Sequence, residues 1–198
     1  AADFQLVRNY AIENGQHNRI KINDLSILPN AEMGDPEYQK KFGMQMIESK
    51  TISVHSSRSE SEEEIYENQV LVIATDSMPR EEWVRTRVYA WTVALLHFDK
   101  TLQIPSVLLH EVCSLSYRDL LEELLVSSLD SFPVLEEVRS FFLRRAREMQ
   151  SGGPELVSSE EWLNIWWPAD EYVLIKPCIE GKLDGFYQEA EKVLNALL

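Results

Sequence analysis

Cysteine is scarce in this 198-residue chain: Cys113 and Cys178 are its two, and they stand far apart. No CxxC or CxxxCxxC spacing exists, so the sequence offers no thiolate set for a zinc ion or an iron–sulfur cluster, and both thiols read as structural. Long apolar runs are missing as well. The start, Ala1-Ala2-Asp3-Phe4-Gln5-Leu6-Val7, lacks the basic flank of a secretory leader, and no later segment approaches a membrane span, which predicts a cytoplasmic chain. Positive charge is in short supply too, with 19 Lys and Arg against 33 Asp and Glu and a formal net charge of −14. A field of that sign repels phosphate backbones and anionic lipid, so neither a nucleic acid nor a membrane is expected as a partner. What is present is ample apolar content, 44% of residues, enough for one substantial domain with a packed core.

Phe4, Leu6, Val7, Tyr10, Ala11 and Ile12 fall at helical spacing and stop at Asn14-Gly15, which predicts an amphipathic helix closed by glycine. Residues 19 to 27 then alternate, with Ile20, Ile22, Leu25 and Ile27 apolar, predicting a strand that runs into the loop Leu28-Pro29-Asn30-Ala31-Glu32-Met33-Gly34. Asp35-Pro36-Glu37 has the residues of an N-cap, a first-position proline and a first-turn acid, so a short helix is expected from Glu37 to Phe42, ending at Gly43. Two strands follow, Met44 to Val54 and Gln69 to Thr75, with the charged, hydroxyl-rich Ser56 to Glu64 stretch between them as a solvated loop.

From Pro79 the period turns helical. Val84, Val88, Trp91, Leu95 and Phe98 mark a long spine helix, and Leu108–Val112, Tyr117–Ser127, Val134–Met149 and Gly185–Leu197 predict further helices. Gly152-Gly153-Pro154 is a break. The expected fold is therefore α+β and predominantly helical, with a small sheet in the N-terminal half and a helical C-terminal layer.

Four constellations carry possible chemistry. Asn30, Glu32, Asp35 and Glu37 follow a strand on a loop stiffened by Pro29 and Pro36, where an amide and a carboxylate can be aimed at a ligand; plain helix capping and solvation compete with that reading. Arg80, Arg85 and Arg87 surround Trp83 and can grip an anion or stack on a ring, unless ion pairs with Glu81, Glu82 or the Ser59–Glu64 loop consume them. His97, His110, Glu111 and Cys113 carry ligating atoms in a spacing that fits no ligand motif, and core or helix-end histidines are the plainer reading. Trp162 and Trp166, four apart, are expected to share a helix face, with a docking surface through Trp167 as the alternative to core.

The segment from Asn14-Gly15-Gln16-His17-Asn18 through Leu28-Pro29-Asn30-Ala31-Glu32-Met33 to Pro36-Glu37-Tyr38 resembles the end of the radical SAM core in cobalamin-binding radical SAM proteins. Met78-Pro79-Arg80-Glu81-Glu82-Trp83-Val84-Arg85, continuing to Ala94-Leu95-Leu96-His97-Phe98, resembles the helical extension of the same subgroup. The resemblance implies that residues 1–43 are the last αβ unit of the barrel, 44–78 a β-rich connector with an acidic loop, and 79–198 the helical C-terminal extension. It implies a parent enzyme that uses a [4Fe–4S] cluster, S-adenosylmethionine and cobalamin, none of them held by this piece, which has no cluster motif and reads as cut from something longer. Asn30 and Glu32 then line the substrate or cofactor cavity, and Arg80 and Arg85 are possible anion contacts. The partners implied are the missing N-terminal domains of the same chain, and the edge at residues 19 to 27 is expected to be unpaired or paired by a second copy in a homodimer. Two other classes remain: a self-contained acidic interaction module docking through Trp162–Trp167, and a small metalloenzyme built on His97, His110 and Cys113.

Overall fold

The computed structural model describes residues 22–58, 67–125, 129–161 and 163–198. The helix expected over Phe4–Ile12, the strand before Ile22 and the Ser59–Glu64 part of the solvated loop lie outside the described residues. The rest is an α+β fold, mostly helical, with two small antiparallel sheets.

The first sheet has strands β1 (Ser26–Ile27), β2 (Gln45–Lys50) and β3 (Asn68–Ala74) in the order β1-β3-β2. β3 is central because its apolar run has no polar face: Leu71, Val72, Ile73 and Ala74 are all buried, as a strand covered on both sides must be. On one side, Ser26 and Ile27 pair with Leu71 and Val70, and the Val72 amide donates to Leu25 O at 2.9 Å, which leaves β1 as an edge strand of the sheet. The strand is short because Pro29 follows almost at once and Asn30 turns left-handed at φ 66°.

Between β1 and β2, α1 (Pro36–Lys41) forms as its sequence predicts, with Asp35 Oδ1 accepting from the Glu37 amide at 2.8 Å and Pro36 in the first turn. It ends where Gly43 takes φ +57°, and a Cβ there would lie 2.0 Å from Asp76 Oδ1, so chain reversal and close approach both require glycine.

The helical layer is built on α2 (Arg80–Val93), which continues as a π-helical turn, Ala94–Phe98. Every residue from Arg87 to Val93 is buried, so the spine is covered all round, not amphipathic. Around the spine stand α3 (Gln103–Cys113), α4 (Tyr117–Leu125), α5 (Pro133–Met149), α6 (Ala169–Ile179) and α7 (Leu183–Asn195), giving seven α-helices among the described residues. The core joins Trp83, Val88, Trp91 and Leu95 of the spine to Leu120 and Leu124, Phe142 and Ala146, and Phe186 and Ala190. α6 was not expected: its Val-Leu-Ile run and internal Pro177 mimic a buried strand, and burial of Ala169 and Val173 against the core decides for a helix.

The second sheet corrects another expectation. Trp166 and Trp167 form strand β5, paired with β4 (Val157–Ser158), so no helix face joins Trp166 to Trp162, and Trp162 itself lies outside the described residues. Leu163 and Asn164 both hold positive φ, 62° and 50°, which breaks any helix before Trp166. The backbone groups of Trp166 are instead taken up by the turn after β2, with His55 N to Trp166 O at 2.7 Å and Trp166 N to Ser56 O at 2.9 Å. No helix among the described residues is long and apolar enough to cross a membrane.

Candidate functional site

Arg87 is a cation in the interior, 6% exposed, on the spine helix. Such a charge requires partners. Its Nη2 donates to Glu155 Oε1 at 2.6 Å, and its Nη1 lies 3.4 Å from both Ile22 O and Asp24 Oδ2. The guanidinium lies over Trp91, one helical turn on, 4.6 Å from the ring centre. Nε has no hydrogen-bond partner among the described residues.

Burial pushes the Asp24 carboxyl up to about 6, with the Arg87 charge pulling it back down and Glu155 pushing it further up. An ion pair ordinarily lowers a carboxyl. Here burial wins on geometry: the side chain is 8% exposed, the Asp24 to Arg87 contact is 3.4 Å without a formed hydrogen bond at Oδ2, and Arg87 is shared with the much closer Glu155. Asp24 is thus a buried acid that takes up a proton in mildly acidic solution.

Two clefts meet at this cluster. One, of about 340 Å³, runs over Arg87 and Trp91 between Asn23, Ile52, Glu155 and Glu171. The other, of about 190 Å³, is mainly apolar and lies against Val72, Met78 and Trp83. Ile22, Asn23, Arg87 and Ala90 line both. Arg145 fixes the floor: it donates to Pro154 O at 2.6 Å and Leu156 O at 3.1 Å, holding Glu155 toward Arg87, and pairs with Glu148 in its own helix. The arrangement can orient a polar ligand across a buried charge.

The positions expected from sequence fall around this centre without converging on it. Asn30 and Glu32 are exposed on the turn after β1, and the described lining of the two clefts takes Ile22 to Leu25 from this segment but neither of them. Arg80 donates to Gln150 O at 3.1 Å and Gln45 Oε1 at 3.4 Å, while Gln150 Nε2 returns a bond to Arg80 O at 2.8 Å, a clasp of α2 to the end of α5. Arg85 is exposed and pairs with Glu82 at 3.5 Å. Arg87 was singled out with them, but its partners, Asp24 and Glu155, lie 63 residues before and 68 after it in sequence, beyond any local pattern.

His110 and His97 flank Tyr117, the first stacked at 4.4 Å and the second edge-on at 5.8 Å, and His110 Nδ1 contacts Leu115 O at 2.8 Å. Cys113 is exposed. Among the described residues no group of three or more His, Cys, Asp or Glu is placed to hold a metal. A [4Fe–4S] cluster does not fit this chain: Cys113 and Cys178 are both exposed, and two thiols are fewer than a cluster site requires.

No protein-family model matches the chain. Over 113 residues, 57% of its length, it is 26% identical to the cobalamin-dependent radical SAM methyltransferase TokK of Streptomyces tokunonensis, of which this stretch is 16%. Over 86 residues, 43% of its length, it is 28% identical to the 2-(S-pantetheinyl)-carbapenam-3-carboxylate methyltransferase of Streptantibioticus cattleyicolor, of which this is 12%. The chain therefore spans a small part of the length of the curated relatives it matches.

Proposed function

We propose that this chain is the C-terminal region of a cobalamin-dependent radical SAM enzyme, non-catalytic on its own, which packs on the barrel and shapes the substrate cavity. The observation that carries the reading is the similarity to the two methyltransferases over about half of this chain and a small fraction of theirs. The chain also has a buried, aromatic-backed cation beside a cleft, a feature suited to orienting a ligand.

On this reading the cluster, S-adenosylmethionine and cobalamin belong to preceding domains of the same polypeptide, and Arg87, Trp91 and Glu155 present the cleft that those domains close. Asn30 and Glu32, exposed on the turn after β1 and outside both described clefts, would reach the substrate cavity only with the preceding domains in place, and Arg85 offers its guanidinium to an anionic ligand. A methyl transfer is the reaction class of the parent.

The competing reading, a self-contained acidic interaction module, draws on one observation. Ile104, Leu108 and Val112 stand four apart on α3, 72%, 57% and 77% exposed, whereas Trp166 and Trp167 are half-buried. The coding frame upstream of Ala1 separates the two. A continuous frame carrying CxxxCxxC supports the enzyme region; a start codon close to Ala1 leaves the module.

A further inference from the structure

Helix α3 has two apolar sides. One faces inward: Leu102, just ahead of it, and Ser106 are buried, and Val107 and Leu109 pack on the core. The other faces out, with Ile104, Leu108 and Val112 exposed at intervals of four. Charge does not interrupt this outer side. Across Gln103–Cys113 the one Asp, Glu, Lys or Arg is Glu111, in a chain of which 26% is charged. The long α5, by contrast, shows solvent Arg144 and Arg147, at 63% and 60% exposure. A helix that is apolar all round belongs inside a larger body, and here only the inner side is covered.

Three kinds of occupant can cover the outer side, and the page separates them. A helix that lies on lipid carries Lys or Arg along its polar flank, and α3 has neither. A second copy needs area. An 11-residue helix is about 16 Å long, and one side of it falls far short of the roughly 800 Å² per partner of a stable free-standing complex. A domain tethered in the same polypeptide needs less, because the tether keeps the two surfaces at high effective concentration. In both methyltransferases similar to this chain, most of the polypeptide lies outside the matched stretch, which is 16% of one and 12% of the other.

We propose that the face made by Ile104, Leu108 and Val112 is where preceding domains of the same polypeptide seat, through an apolar helix face of their own. The inference rests on the reading of this chain as the C-terminal region of a longer enzyme, and adds to it the surface by which that region is held.

The test is hydroxyl-radical footprinting of the whole polypeptide that carries this sequence, purified from its source cells, each residue's oxidation rate being referred to its rate in the same polypeptide denatured. Ile104, Leu108 and Val112 should oxidise severalfold more slowly than exposures of 57% to 77% allow, at every protein concentration. Leu108→Glu in the whole polypeptide should restore fast oxidation of Ile104 and Val112 while Leu120 and Leu124, both fully buried, stay protected and report that the fold is kept. The inference is overturned if the three residues oxidise at the rate of open side chains, if their protection disappears on dilution to a monomer, which assigns the face to a second copy, or if Leu108→Glu leaves Ile104 and Val112 covered. Each of these leaves the C-terminal-region reading standing. That reading fails on a different result, the absence of any polypeptide heavier than 22.9 kDa, and the inference then falls with it.

Discussion

The guanidinium of Arg87 sits 4.6 Å from the centre of the Trp91 indole, one turn along the same buried helix. Stack and ion pairs together make a cation tolerable at 6% exposure, and Asp24 and Glu155 depend on it in turn. Replacing Arg87 by alanine should destabilise the chain by about 3 to 5 kcal/mol, because it leaves a buried acid without its counter-charge. Arg87→Lys should recover only part of that loss, since an ammonium makes one contact where the planar group makes several. Chemical denaturation of the two variants measures both.

Asp24 gives a pH signature. Its carboxyl is raised to about 6 when folded, against an ordinary 3.8, so the folded state takes up the proton first. The contribution is fully favourable below about 3.8 and is lost as pH rises through about 6. Asp24→Asn mimics the protonated form and should be relatively most stabilising near neutrality, where the charged Asp24 costs most. The difference in Tm between parent and variant should therefore change between pH 4 and pH 7 as this group titrates, and a constant difference would refute the assignment.

Glu189 of α7 accepts from the Val134 and Leu135 amides at the start of α5, both at 2.9 Å. These are two of the unpaired donors that every helix N-terminus leaves, and Phe132 at the cap position supplies no side-chain acceptor. Glu189→Ala should cost about 1 to 2 kcal/mol, an ordinary cap loss, and raise hydrogen exchange at those two amides.

Glu137 bridges Lys182 at 3.1 Å and Lys176 at 3.2 Å, and the hydrogen bond from Lys182, above all, holds its carboxyl below the ordinary value. The stabilisation this provides is present above the carboxyl's unfolded value and falls away as pH drops through the lowered one. These side chains are substantially exposed, so Glu137→Gln should have a small effect that shrinks further in high salt, readable from Tm at two ionic strengths.

At Gly43, φ of +57° and the 2.0 Å approach of a built Cβ to Asp76 Oδ1 make Gly43→Ala unfavourable by about 1 to 2 kcal/mol. Asp76 is exposed and can swing aside, so pairing the change with Asp76→Ala should recover the steric part and leave the backbone part.

Elements whose cause is local were legible in the chain. Asp35-Pro36 and Gly43 bracket α1, the apolar run Val70–Ala74 marks the central strand, and the Val84 to Phe98 period marks the spine. What escaped depends on distant partners. Trp166 becomes a strand because Ser56 and His55 bond its backbone, and Leu25 to Ile27 finds β3 across more than forty residues. The Arg87 site is illegible for the same reason: Asp24, Arg87 and Glu155 each look like a surface charge until the fold assembles them.

The assignment to a longer radical SAM enzyme is tested most directly by the mass of the polypeptide that carries this sequence in its source cells, read by immunoblot with an antibody to the 79–198 region. A single species several times heavier than 22.9 kDa is expected. A species at 22.9 kDa, with no larger one, would contradict the assignment and leave a free-standing acidic domain.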